Sequence, residues 1–96
     1  MALSGLHVAC VQVRVLQSVA LAQKPVWSLT MASPGVTDLK APELPTIGFE
    51  IRSASDAFVA IGPNPDAAAD ARIFVPAGDT RNIFCDPGDK LAWIAA

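Results

Sequence analysis

From Thr46 to Ala96 the chain is cut by turn signals about every 8 to 12 residues, a spacing that belongs to a sandwich or barrel of short strands. The signals are Ser53-Ala54-Ser55-Asp56, Gly62-Pro63-Asn64-Pro65-Asp66, Pro76-Ala77-Gly78-Asp79 and Asp86-Pro87-Gly88-Asp89. Proline fixes φ and lacks an N–H, so no strand ladder continues through these points. Between them lie apolar runs at residues 47–52, 57–61, 72–75, 82–85 and 91–95, with 67–71 reading as loop. In the first run, alternation puts Ile47, Phe49 and Ile51 on one face and Glu50 with Arg52 on the other, the pattern of a half-buried strand. The small polar residues at 53–56 can hydrogen-bond their own backbone, which predicts a tight turn pairing runs 47–52 and 57–61 as antiparallel neighbours.

The amino-terminal half is less regular. Residues 6–16 alternate, with Val11, Val13 and Val15 on one side and Gln12 and Arg14 on the other, and their β-branched density predicts a strand. Residues 16–22 suit either a strand end or a helical turn. Pro25, Pro34, Pro42 and Pro45 punctuate residues 24–45. There, Trp27, Leu29 and Met31 stand at i, i+2 and i+4, which predicts a short strand over 26–31. Residues 32–44 read as an irregular extended connection, because the proline spacing forbids a helix. A connection this long in a small chain packs on something or carries function. The expected fold is therefore all-β: one small β-sandwich or jelly-roll-like domain, with residues 46–96 as its compact core and a Pro-rich connection in the amino-terminal half.

Composition narrows the function. A chain of 96 residues buries only about 60 to 65% of the surface its unfolded form exposes. With 52% hydrophobic and 17% charged residues, it is rich in apolar side chains for a solitary domain, so part of that surface should be shared with a partner. Seven Lys and Arg against nine Asp and Glu give no basic patch, which argues against nucleic acid. Val19-Ala20-Leu21-Ala22 resembles a signal-peptidase site, but Arg14 alone precedes it and Gln17 and Ser18 interrupt the apolar run. No run approaches the ~18 apolar residues of a helical membrane span, so a soluble protein made in a reducing compartment is expected.

The residues that could carry chemistry are few. His7 is the single histidine, and Cys10 and Cys85 lie far apart without a C-x-x-C pair, so neither a zinc site nor a cofactor is expected. Sequence alone leaves their pairing open, and two free thiols buried in apolar strands is the favoured reading. No Gly-x-Ser-x-Gly elbow accompanies the serines. The carboxylate pairs Asp66/Asp70 and Asp86/Asp89 are explained as caps of Pro-Gly turns. No enzyme is predicted.

Two resemblances bear on this. Pro76-Ala77-Gly78-Asp79 and Pro87-Gly88-Asp89 resemble turns of the cupins, but no histidine lies between Gly48 and Ala96, which excludes a cupin-type metal enzyme. The order Gly48-Phe49-Glu50-Ile51-Arg52, Ala57-Phe58-Val59-Ala60-Ile61-Gly62-Pro63-Asn64-Pro65, Phe74-Val75-Pro76-Ala77-Gly78 and Pro87-Gly88-Asp89-Lys90-Leu91-Ala92 resembles small virion proteins of tailed bacteriophages. The likeness covers residues 46–96 and implies a capsid decoration or cement protein with a β-sandwich or jelly-roll fold. It implies the major capsid protein and neighbouring copies of the chain as partners, and a location on the capsid surface after assembly in the host cytoplasm. A head-to-tail or tail component, or a small carbohydrate- or peptide-binding module, are the alternatives. The expected contact residues are Trp27, Leu29, Met31, Leu39 and Leu44, with Trp27 as anchor because buried aromatics dominate interface energetics. The sequence is equally compatible with a Trp27 that caps its own sheets. Trp93 is expected in the core.

Overall fold

Every run with period-two alternation becomes a strand, but the partners those strands take are decided by a core that spans the whole chain. The computed structural model of the protein describes residues 4–16 and 19–96, with side chains at 4–13 and 25–96. The strands are β1 (Leu6–Leu16), β2 (Val19–Met31), β3 (Gly35–Val36), β4 (Ile47–Ser53), β5 (Ala57–Gly62), β6 (Ile73–Val75), β7 (Thr80–Phe84) and β8 (Lys90–Ala95). They form two antiparallel sheets, ordered β2-β1-β4-β7 and β3-β8-β5-β6. The Cα radius of gyration is 12.6 Å, close to the roughly 12.5 Å of a compact domain of this length.

The first sheet is built on β1. Leu6, Val8 and Cys10 point inward beside Ser53, Ile51 and Phe49 of β4 on one flank and Met31, Leu29 and Trp27 of β2 on the other. Ala57, Val59, Val75, Leu91 and Trp93 of the second sheet meet them in a single cluster. Residues 46–96 are thus not a core by themselves, because β1 is an interior strand and its three inward side chains are fully buried. Burying one large apolar side chain in this way contributes about 1.5 to 3 kcal/mol.

The expected hairpin between residues 47–52 and 57–61 does not form. Both edges of β4 are already occupied, by β1 and β7, while β5 pairs with β8 and β6. The bend at residues 54–56 therefore carries the chain from one sheet to the other. The alternation in β1 also divides differently from its valines: the inward face is Leu6, Val8 and Cys10, and Val11 turns to the outer face past a register shift. Arg14 and Val15 lie outside the described side chains, and residues 17–18 outside the described residues. Residues 26–31 are the end of a 13-residue strand whose beginning, Val19–Ala22, pairs with Leu16–Val13, which settles the strand-or-helix choice there. Pro25 sits in this edge strand next to the register shift, where a missing donor is tolerated.

The Pro-rich connection folds back onto β8 instead of projecting. Beyond β3, the Thr37 N–H donates to the Leu91 carbonyl (2.8 Å), the Leu91 N–H donates to Thr37 Oγ1 (3.2 Å), and Ala41 and Gly88 donate to the Asp89 and Ala41 carbonyls respectively (2.8 Å each). Thr37 is buried, and its hydroxyl closes the local network by donating to the Leu39 carbonyl (2.8 Å). Two glycines are required by close approach. At Gly5, where φ is 77°, an added Cβ would run into the Met31 carbonyl, and at Gly48 it would stand 2.9 Å from the Ile83 carbonyl oxygen.

Candidate functional site

Among the described residues, several of the ionisable groups have a local structural task. His7 Nδ1 lies 2.7 Å from Thr30 Oγ1 on the outer face of the first sheet. The Asp66 and Asp86 amides donate to Asp70 Oδ2 (2.8 Å) and Asp89 Oδ2 (2.9 Å), and the Ala68 amide donates to Asp66 Oδ1 (3.0 Å), the turn-capping role expected of these carboxylates. Asp56 likewise accepts from the Ala77 amide (2.9 Å). Among the described residues no three His, Cys, Asp or Glu side chains gather as metal ligands would.

The two cysteines are free. Cys10 is fully buried, and burial pushes its thiol up to about 11. Cys85, just past β7 and packed against the same cluster, is pushed up to about 12, first by burial and then by the nearby Cys10, Asp89 and Asp86. Thiols held protonated in this way are poor nucleophiles and poor metal ligands.

The residues expected to make contacts fall into two groups. Trp27, Leu29 and Met31 share the inward side of β2 and pack against the protein's own core. The Trp27 ring is 5.8 Å from that of Phe49, tilted by 53°, and its Nε1 donates to the Lys40 carbonyl (3.0 Å), so it pins the connection to the first sheet. Leu39 and Leu44 are exposed on that connection. Trp93 is in the core as expected.

Sequence reasoning missed the apolar side chains of the outer faces. On the second sheet, Ile94, Phe58 and Phe74 stand in one row across β8, β5 and β6. The Phe58 and Phe74 rings meet edge to face at 5.6 Å, and the Arg72 guanidinium lies 4.0 Å above the Phe58 centroid. On the first sheet, Phe84 is 63% exposed on the outer face of β7. It borders a cavity of about 260 Å³ lined also by Val11, Val13, Glu50 and Asn82, with Gly48 as part of its wall. A signal for Phe84 was present: Ile83 and Phe84 are adjacent, so period two sends one of them outward whichever faces the core.

No known protein family, curated protein or solved structure matches the chain.

Proposed function

We propose that the protein is a non-catalytic assembly module, a structural component of a tailed-phage virion that decorates or cements the head through protein–protein contacts. The observation that carries this reading is the apolar outer surface: Val26, Val36, Leu39, Leu44, Ile73, Phe74 and Phe84 are all large and exposed on a chain of 10.0 kDa. Single exposed apolar residues are ordinary, but a row such as Ile94, Phe58 and Phe74 across three strands is the kind of surface that interfaces cover.

The fold reading that accompanies it is a jelly-roll-like β-sandwich. Only β1–β2 and β5–β6 are consecutive strands within one sheet, and every other connection crosses between sheets, as in paired Greek keys. Ala54 donates to the Gly5 carbonyl and Ala96 to the Asp56 carbonyl, which sets the start of β1 and the end of β8 on either side of the bend at residues 54–56 and supports a reading in which β1 takes the part of a jelly roll's last strand. The small-ligand alternative has less support, because the chain has no tyrosine and both of its tryptophans pack with the core, which leaves few stacking residues to line a binding site.

The test is microscopy of particles purified from the source, labelled with an antibody against the chain, together with light scattering of the isolated protein. Regular labelling of heads and a defined oligomer are expected. A protein that is monomeric at all concentrations and never associated with particles would overturn the reading.

A further inference from the structure

From the open edge of the first sheet, we infer that two copies of the chain join along β7, edge to edge and antiparallel about a two-fold axis at Asn82. This deepens the assembly reading by naming the strand and the partner, and it rests on that reading.

The four sheet edges differ in how they are closed to a neighbour. β3 has two residues and β6 three, too short to template a partner strand. β2 is long but carries Pro25 and a shifted register. These are recognised devices for blunting an edge. β7 has none of them: Thr80–Phe84 is five residues without proline or register shift.

The ladder shows which backbone groups β7 has to offer. The Cys85 N–H donates to the Ile47 carbonyl (3.0 Å), so Cys85, Ile83 and Arg81 spend their amides and carbonyls on β4. By the alternation of an antiparallel pair, Thr80, Asn82 and Phe84 turn theirs to the open edge. No backbone hydrogen bond outside the strand ladders takes up these groups among the described residues. They are three donors and three acceptors in a row.

A second β7 matches that row about Asn82. Asn82 then exchanges bonds with its own copy, and Thr80 does so with Phe84 of the other chain. The strand's one charge never meets itself, because Arg81 falls opposite Ile83 of the other copy, and like charges directly across a ladder are unfavourable. Phe84 and Thr80 both lie on the outer face, since their β4 partners Gly48 and Arg52 do. The exposed Phe84 ring of the second copy is thereby set against Thr80, which rims an open depression of about 440 Å³ where Ala9, Val11 and Pro25 stand among His7, Glu50 and Arg52. The contact covers the most exposed large apolar side chain of the molecule's described part and joins two four-stranded sheets into one of eight.

The test uses the full chain with Asn82→Lys and Asn82→Glu. Each places like charges across the axis while leaving the β4 side of the strand intact. Light scattering should give twice the 10.0 kDa chain mass for the wild type, the single mass for either variant alone, and twice the mass again when the two are mixed. Circular dichroism checks that each variant keeps its strand content. If the wild type associates but both variants do so equally well, the β7 contact is overturned while the assembly reading stands. A wild type that is monomeric yet binds particles overturns the contact in the same way. A monomer that binds no particle removes both. If a variant unfolds, Phe84→Lys on the outer face replaces it, and retention of the dimer by that variant would also overturn the contact.

Discussion

On the second sheet a loop of the chain covers part of the outer face, whereas on the first sheet Val11 is buried but Phe84, which lines the same cavity, stands 63% exposed. The cover is the 63–72 segment, which sets Ala67 against Ala60 and Ala92 in a small buried cluster with Ile94 at its side. Arg72 fastens it by donating to the Ala67 carbonyl (3.1 Å) and by lying over Phe58. The Asp66–Asp70 turn shapes it. The first sheet instead shows His7, Glu50, Arg52 and Asn82 mixed with apolar groups around its two depressions.

The largest effect should come from the core both sheets share. Phe49→Ala removes a fully buried ring that touches Trp27, and it should cost about 3 to 5 kcal/mol in urea unfolding, enough to abolish the fold in a protein this small. The contrast between the two outer faces is tested by introducing the same charge on each. Ala92→Asp puts a carboxylate beneath the cover of the second sheet and should cost about 2 to 4 kcal/mol, since Ala92 is only 3% exposed. Equal tolerance of Asp at Ala92 and at Phe84 would erase the distinction drawn between the sheets.

Trp27→Ala comes next. Because the ring packs on Phe49 and its Nε1 holds the Lys40 carbonyl, the variant should lose about 2 kcal/mol of monomer stability and loosen the 35–41 connection in hydrogen exchange. A variant that folds normally but fails to assemble would return Trp27 to the role of contact anchor.

A smaller effect is expected from the thiols. Their folded values of about 11 and about 12 lie above the ordinary 9.0, so unfolded chains release protons that folded ones hold. Their contribution to stability is complete below about pH 9 and drains as pH rises toward 11 to 12. A Cys10→Ala, Cys85→Ala variant should flatten the alkaline limb of the stability curve. The smallest effect is Phe84→Asp, within about 0.5 kcal/mol for the dilute monomer, measured by thermal unfolding.

Strand positions were legible because they depend on local chemistry: alternation at period two and the loss of donors at proline. The turn-capping aspartates were legible for the same reason, and so was the buried state of Trp93. The side of the sheet that Trp27, Leu29 and Met31 take was not. Trp27, Leu29 and Met31 carry the alternation of any half-buried strand, which marks a stripe as apolar without saying whether it faces the chain's own core or a neighbour. Phe84 was hidden because Ile83 beside it is equally suited to the core, and alternation alone does not choose between them.

What the sequence determined by itself was an all-β chain with its breaks in fixed places. Only the tertiary structure decided that the bend at residues 54–56 crosses between sheets, that β1 is an interior strand, and that β7 is left at an edge. The reason is that a local segment specifies its own backbone shape and the side on which its apolar groups fall. Which ladder receives its N–H and C=O groups depends on strands distant in sequence competing for the same core, and that competition has no local signature.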